Sequence, residues 1–220
     1  MENINYPIFT QYVHNKDYLL SIQKVFNKAL ANHSARILVF RVDLRLPSTC
    51  SIDGYALYDL NPMTLFIESL RSQIEAERKR KQRYGQKVHA CPVRYIWARE
   101  RKSAEKDHYH VMIIVSNEYY SGLGDYTRLN PEHLSGKVYT AWARAMQNME
   151  RRLFLLSLSD DMENYMPLVE FPDKSGYVIR RNQLGWQEKL FDAYGRATYL
   201  AKLDTKHYGE GHRCFGTSSN

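Results

Sequence analysis

Two imidazoles two residues apart, a carboxylate eight residues before them, and a tyrosine followed three residues later by a lysine are this sequence's clearest candidates for chemistry. The histidines lie in Asp107-His108-Tyr109-His110-Val111-Met112-Ile113-Ile114-Val115, a short apolar and β-branched run that reads as a strand. Side chains alternate along a strand, so His108 and His110 leave one face and Tyr109 the other. Neutral imidazole ligates several divalent metals, and a rigid strand presents the pair already ordered. Tyr199 and Lys202 are spaced to share one face of a helix, with Lys206 a further turn on. A phenol can act as a covalent nucleophile. An ammonium beside it favours phenolate and can neutralise charge developing on a phosphate.

These side chains need elements to carry them. Val93 to Glu100 reads as a strand, and the polar stretch Arg101 to Lys106 is short enough to make it a hairpin partner of the histidine strand. Glu100 and His108 then lie near the same end of neighbouring strands. Glu100 joins the histidines as a third ligand only if the register turns it to their face, which the sequence leaves open. Ile37 to Leu46 alternates as another strand, with Phe40, Val42, Leu44 and Leu46 on one face and Arg41, Asp43 and Arg45 on the other. That charged face is expected either to look onto the histidine surface or to be simply solvated.

Helices are expected over residues 17–33, from Asn61-Pro62 through Leu70 and Ile74 to Arg83, from Asn130-Pro131 through Trp142 to Met149, and from Trp186 through Leu200 and Ala201. Leu153 to Leu158 reads as strand-like, and Tyr177 to Arg181 as a short strand entered by a turn at Asp173 to Gly176. From Gly209 onward the chain reads as an irregular tail. The expected organisation is an N-terminal helical segment, residues 1–34, packing on a domain that spans residues 35–220.

Composition narrows the partners. The chain has 220 residues and a net charge of +7, which favours polyanions, with nucleic acid first. It has no apolar run long enough for a bilayer and no signal-peptide pattern at its start, so no membrane partner is expected. Cys50, Cys91 and Cys214 form neither a disulfide framework nor a CxxC metal pattern, which fits the cytoplasm. Seventeen tyrosines include aromatics that could stack on bases beside basic groups. The basic run Arg78 to Arg83 is either a solvated helix end or a phosphate-backbone contact.

Joined together, the residues describe a transesterification. Single-stranded DNA on a basic face has one phosphodiester oriented by Mg²⁺ or Mn²⁺, and Tyr199 attacks phosphorus in line, leaving a 5′-phosphotyrosine and a 3′-hydroxyl. Catalytic Tyr199 and Lys202, metal ligands His108, His110 and Glu100, and DNA contacts from Arg41, Arg45, Arg196 and Lys206 make up the expected site.

The order His-hydrophobe-His and then Tyr-x-x-Lys resembles the HUH endonucleases, the rolling-circle initiators and relaxases. More closely, Tyr95-Ile96-Trp97-Ala98-Arg99-Glu100, His108-Tyr109-His110-Val111-Met112-Ile113, Thr198-Tyr199-Leu200-Ala201-Lys202 and Arg213-Cys214-Phe215-Gly216-Thr217-Ser218 resemble the inovirus-type replication proteins, also grouped as the YagK/YfjJ C-terminal domain family. The resemblance runs from about Ile37 to Ser218. It implies an α+β fold, a central antiparallel sheet flanked by helices and derived from the ferredoxin-like arrangement. It also implies metal-dependent nicking and joining of origin or hairpin DNA, in a phage or mobile element within a bacterial cytoplasm. The middle residue Tyr109 departs from the usual aliphatic, but it faces away from the metal. No Gly-x-x-x-x-Gly-Lys-Ser/Thr loop is present, so unwinding would fall to a host helicase.

Two rival functions share these residues. One is a non-catalytic regulator of the same fold that binds an origin or hairpin. The other is a metal-dependent hydrolase that uses water. Such enzymes call for further His or Asp ligands on later strands, and His133, His207 and His212 follow no strand legible in the sequence.

Overall fold

The structure is a computed structural model that describes residues 4–7, 9–31, 35–47, 61–100, 108–152, 161–203 and 213–218. The helices are α1 (Lys16–Ala29), α2 (Pro62–Arg83), α3 (Leu134–Arg152) and α4 (Trp186–Thr198). The strands are β1 (Arg36–Arg45), β2 (Arg94–Glu100), β3 (His108–Ser116), β4 (Val169–Glu170), β5 (Gly176–Arg180) and β6 (Phe215–Thr217). They form a six-stranded antiparallel sheet in the order β4-β1-β3-β2-β6, with β5 paired to β1. The fold is therefore α+β. Among the described residues, no helix is long and apolar enough to cross a membrane.

Two compact units divide the chain. The first holds residues 1–43, 91–122 and 171–220; the second holds residues 44–90 and 123–170.

In the first unit, one face of the sheet changes character along its length. Ile37 and Val39 of β1, Ile96 and Ala98 of β2, and Met112 and Ile114 of β3 belong to a buried core with Ile22, Val25 and Phe26 of α1 and Leu190, Ala193 and Ala197 of α4. Continue along the same face, and the residues become Arg41 and Asp43, Glu100, and His110 and His108. Antiparallel pairing brings these polar ends together, because Glu100 pairs with His108 while Ile96 pairs with Met112. The Asn117 N–H donates to Arg36 O at 2.9 Å, which sets the far end of β3 beside the start of β1. Apolar burial under two helices thus fixes the strands, and the rim of that core carries the polar side chains.

α1 begins where Asn15 Oδ1 accepts the Asp17 and Tyr18 N–H groups, at 2.9 and 3.2 Å. Its apolar stripe is narrower than its leucines suggest, since Leu20 stays exposed. Gly195 in α4 has a packing reason: a Cβ there would meet the Phe9 ring at 2.6 Å.

The carboxy-terminal region departs from the irregular tail expected beyond Gly209. Phe215 to Thr217 add β6 to the edge of β2, with Ala98 opposite Phe215 and Trp97 opposite Gly216. The Phe215 ring stacks on Tyr18 at 4.0 Å. Gly216 lies against the Trp97 indole, where an added Cβ would meet Cε2 and Nε1 at 2.7 Å. Gly216→Ala is expected to destabilise the protein by about 1–3 kcal/mol, the usual cost of overpacking, read as a lower denaturation midpoint with an unchanged slope. A wild-type midpoint would refute the packing argument.

In the second unit, α2 and α3 pack through Phe66 and Trp142, whose rings meet edge to face at 5.8 Å. The Trp142 indole N–H donates to Arg45 O at 2.9 Å, and Glu77 binds both Lys81 and Lys137, at 2.6 and 3.2 Å. α3 starts at Leu134, so the Asn130-Pro131 stretch expected to open it is a turn instead. There Asn130 Oδ1 accepts the Glu132 N–H. The strand-like stretch expected at Leu153 to Leu158 lies outside the described residues.

Candidate metal and tyrosine site

The β2–β3 register turns Glu100 to the histidine face. One imidazole nitrogen from His108, one from His110 and a carboxylate oxygen of Glu100 lie within 4.8 Å of one another. Two neutral nitrogens and one anionic oxygen at that spacing are a donor set suited to a divalent cation. Glu100 and His110 are buried, at 3% and 7% exposure, and His108 is half-buried. The two imidazoles meet edge to face, 4.7 Å between centroids.

Asp43 on β1 orients this set. His110 presents Nε2 to Glu100 Oε2 at 3.4 Å and Nδ1 to Asp43 Oδ1 at 2.8 Å. Arg41 reaches both Asp43 oxygens, Nε to Oδ1 at 2.8 Å and Nη2 to Oδ2 at 3.0 Å. Burial alone would raise the Asp43 carboxyl, but hydrogen bonds from His110 and Arg41 outweigh it and bring the pKa down to about 2. An ionised Asp43 is an acceptor, so Nδ1 donates to it and Nε2 is the nitrogen turned to Glu100. The 2.7 Å approach of Arg41 Nη2 to His110 Nδ1 is then two donors converging on one carboxylate. For His110, burial pushes the pKa down, yet acceptance by Asp43 and Glu100 wins and the net shift is upward. A carboxylate behind a ligating imidazole fixes its tautomer and raises its basicity. Asp43→Asn is therefore expected to weaken Mn²⁺ affinity by about 10- to 100-fold, measured by calorimetric titration. Wild-type affinity would show that Asp43 does not tune the site.

Tyr199 reaches the same place from α4. The expected regular helix through Ala201 stops at Thr198, and Tyr199–Ala201 form a 3₁₀ turn after which Lys202 is extended, with φ −62° and ψ 148°. The cause lies near the amino terminus. The Asn15 N–H donates to Ala201 O at 2.8 Å, the Leu203 N–H donates to Val13 O at 3.0 Å, and His14 bridges Lys202 in antiparallel fashion. Backbone groups spent on this strap cannot continue a helix.

Ala197, Leu200 and Ala201 are fully buried, and Tyr199 is half-buried, packed at the margin of that core. Its ring lies 5.8 Å from that of His110, and the Arg41 guanidinium is 5.3 Å from its centroid. Lys202, 3% exposed, donates from Nζ to the Tyr199 phenol oxygen and sits 3.4 Å from Glu100 Oε2. One ammonium thus joins the phenol to the carboxylate of the candidate metal set.

A family model for the YagK/YfjJ C-terminal domain matches residues 2–218. The chain belongs to that family. It is 32% identical over 208 residues to the uncharacterised protein YagK of Escherichia coli K12, covering 91% of this chain and 93% of the relative. It is also 27% identical over 203 residues to the uncharacterised protein YfjJ of the same organism, covering 90% and 91%. No solved structure matches it.

Of the three described cations expected to contact DNA, Arg41, Arg45 and Arg196, this YagK/YfjJ-family structure brings Arg41 into the site. Arg196 Nη1 donates to the Asp173 and Lys174 carbonyls at 2.9 Å, tying α4 to the turn before β5. Arg45 belongs to the second unit and binds Glu170 at 2.5 Å. Lys206 lies outside the described residues, as do His207 and His212. His133 accepts the Asp125 N–H through Nδ1 within the second unit. The basic run on α2 is largely internally paired: Arg78 to Glu75, Arg80 to Glu132 and Lys81 to Glu77. Tyr194 packs among Tyr6 and Phe26 in the core, as a residue five before Tyr199 should.

Asp43 and the strap residues Tyr12 and His14 were not among the expected site residues. The alternation of β1 signalled the first. Nothing in residues 11–15 signals the others.

Proposed function

We propose that the chain nicks and rejoins single-stranded DNA as a rolling-circle-type initiator, with an HUH-type arrangement on its sheet. The observation that carries this reading is Lys202, which contacts both the nucleophile's oxygen and Glu100 and so unites two otherwise separate constellations.

Arg41, 5.3 Å from the Tyr199 ring centroid, and Lys202, at the phenol oxygen, supply positive charge where a phosphodiester would sit. Lys202 stabilises negative charge on the attacking oxygen. The Tyr199 oxygen bonds to phosphorus as the P–O3′ bond breaks. The phenol gives up one proton and the departing 3′ oxygen gains one, so water is not consumed and the strand end is stored as a phosphotyrosine. A free 3′-hydroxyl attacking that linkage reverses the reaction and joins strands. Glu100, His108 and His110 would hold Mg²⁺ or Mn²⁺, which supplies neutralisation of charge on the phosphate's non-bridging oxygens. Asp43 keeps His110 in the ligating tautomer. The setting proposed is a bacterial cytoplasm with a host helicase as partner.

The test is incubation with labelled single-stranded DNA and Mn²⁺, followed by a denaturing gel. The reading requires a covalent protein–DNA adduct that is absent in EDTA and absent in Tyr199→Phe. DNA binding without any adduct would leave the origin- or hairpin-binding regulator. Free nicked product without adduct would favour a water-using hydrolase.

A further inference from the structure

We infer that Tyr12 is a stacking platform for a nucleobase that flanks the phosphate presented to Tyr199. The inference rests on the reading of Tyr199 as a DNA-attacking nucleophile and adds how the strand is held there.

Tyr12 is an aromatic ring kept 39% exposed beside a polar site. Its ring meets that of Tyr199 edge to face, 5.5 Å between centroids at 84°, and Lys202 Nζ lies 5.8 Å from its centroid. It is not a loose side chain on a free end. Val13 and Asn15 are hydrogen-bonded to Leu203 and Ala201, and His14 bridges Lys202, so the strap just after Tyr12 is tied to the nucleophile's own turn, while Phe9 before it packs against Tyr194. Asn15 then caps α1, whose buried face anchors the strap to the core.

The geometry also answers a need that the site leaves open. Contacts to a phosphate position a strand but do not restrain its base. In-line attack requires the phosphodiester to be held in one orientation, and single-strand binders obtain this by stacking bases on aromatic faces. Among the described residues, Tyr12 and Tyr199 are the tyrosines in ring contact at this rim. Lys202 Nζ already lies over the Tyr199 ring, 3.6 Å from its centroid, which leaves Tyr12 to take the base. The ligand class is a single-stranded nucleobase of any identity, because every base offers a π-face.

The test uses the full chain in a Tyr199→Phe background, so that no cleavage intervenes. Fluorescein-labelled single-stranded DNA of randomised sequence, read by anisotropy, is expected to bind about tenfold more weakly to Tyr12→Ala. Tyr12→Phe and Tyr12→Trp should rescue that loss, because they keep a ring. With 5-iododeoxyuridine in the same oligonucleotide, ultraviolet crosslinking should map to the peptide containing Tyr12. With Tyr199 intact, Tyr12→Ala should raise the KM for DNA in adduct formation more than it lowers kcat.

Unchanged affinity in Tyr12→Ala, or an equal loss in Tyr12→Phe, overturns the platform. If adducts still form in that case, the nickase reading stands without it. If Tyr12 crosslinks but wild-type protein forms no adduct in Mn²⁺, the nickase reading fails and the platform survives as part of a binding surface. A circular-dichroism melt of Tyr12→Ala that matches wild type assigns the loss to binding rather than folding.

Discussion

Tyr199→Phe is expected to bind Mn²⁺ and single-stranded DNA while losing covalent adduct by at least about a thousandfold, the scale seen when a nucleophile is removed. The substitution takes away one oxygen and keeps the ring. The contacts with Tyr12, His110 and the Arg41 guanidinium are ring contacts and remain. Lys202 loses its phenol acceptor but keeps Glu100 at 3.4 Å. One buried donor with one acceptor fewer costs about 1–3 kcal/mol, a modest fall in melting temperature against a near-total loss of chemistry. Adduct at wild-type level would remove Tyr199 as the nucleophile. Tyr12, its neighbour in the strap, would then be the next tyrosine to substitute.

The second large effect is expected at Glu100. Glu100→Gln keeps the volume and removes a charge that faces Lys202 and His110, both at 3.4 Å. An ammonium only 3% exposed then loses its counter-ion, and breaking a buried pair from one side costs about 3–5 kcal/mol. Metal stabilisation should vanish with it. On the proposed metal site, Mn²⁺ at a hundredfold excess over its Kd is expected to stabilise wild type by about 2.7 kcal/mol, reversed by EDTA. Glu100→Gln should show almost none of that shift, and adduct formation should fall with it.

Two causes are mixed in that variant, and a second variant separates them. Glu100→Gln combined with Lys202→Met removes both partners, so much of the stability should return. Metal response and adduct formation should not. If the double variant regains a Mn²⁺-dependent rise in melting temperature, Glu100 is not a ligand.

Sequence and tertiary structure contributed different parts of this site. Periodicity is a local property, and whatever depends on it was legible in the chain. That His108 and His110 share a face, that Glu100 ends the neighbouring strand of a hairpin, and that Arg41 and Asp43 lie together on β1 all follow from alternation over a few residues. The helix over Pro62–Arg83 likewise announced itself by its cap and its apolar spacing.

Register and neighbour choice are not local, because they are decided by which apolar faces can be buried together. Glu100 faces the histidines because the register pairs Ile96 with Met112 in the core. Asp43 met His110 only because β1, distant in sequence, lies next to β3 in the sheet. The strap that ends α4 early depends on backbone hydrogen bonds to residues some 190 positions away, between Val13 and Leu203 and between Asn15 and Ala201. β6 likewise took an edge of β2 that no spacing in Phe215 to Thr217 could have named. The chain by itself determined which side chains could do chemistry. Only long-range burial and backbone pairing decided which of them meet.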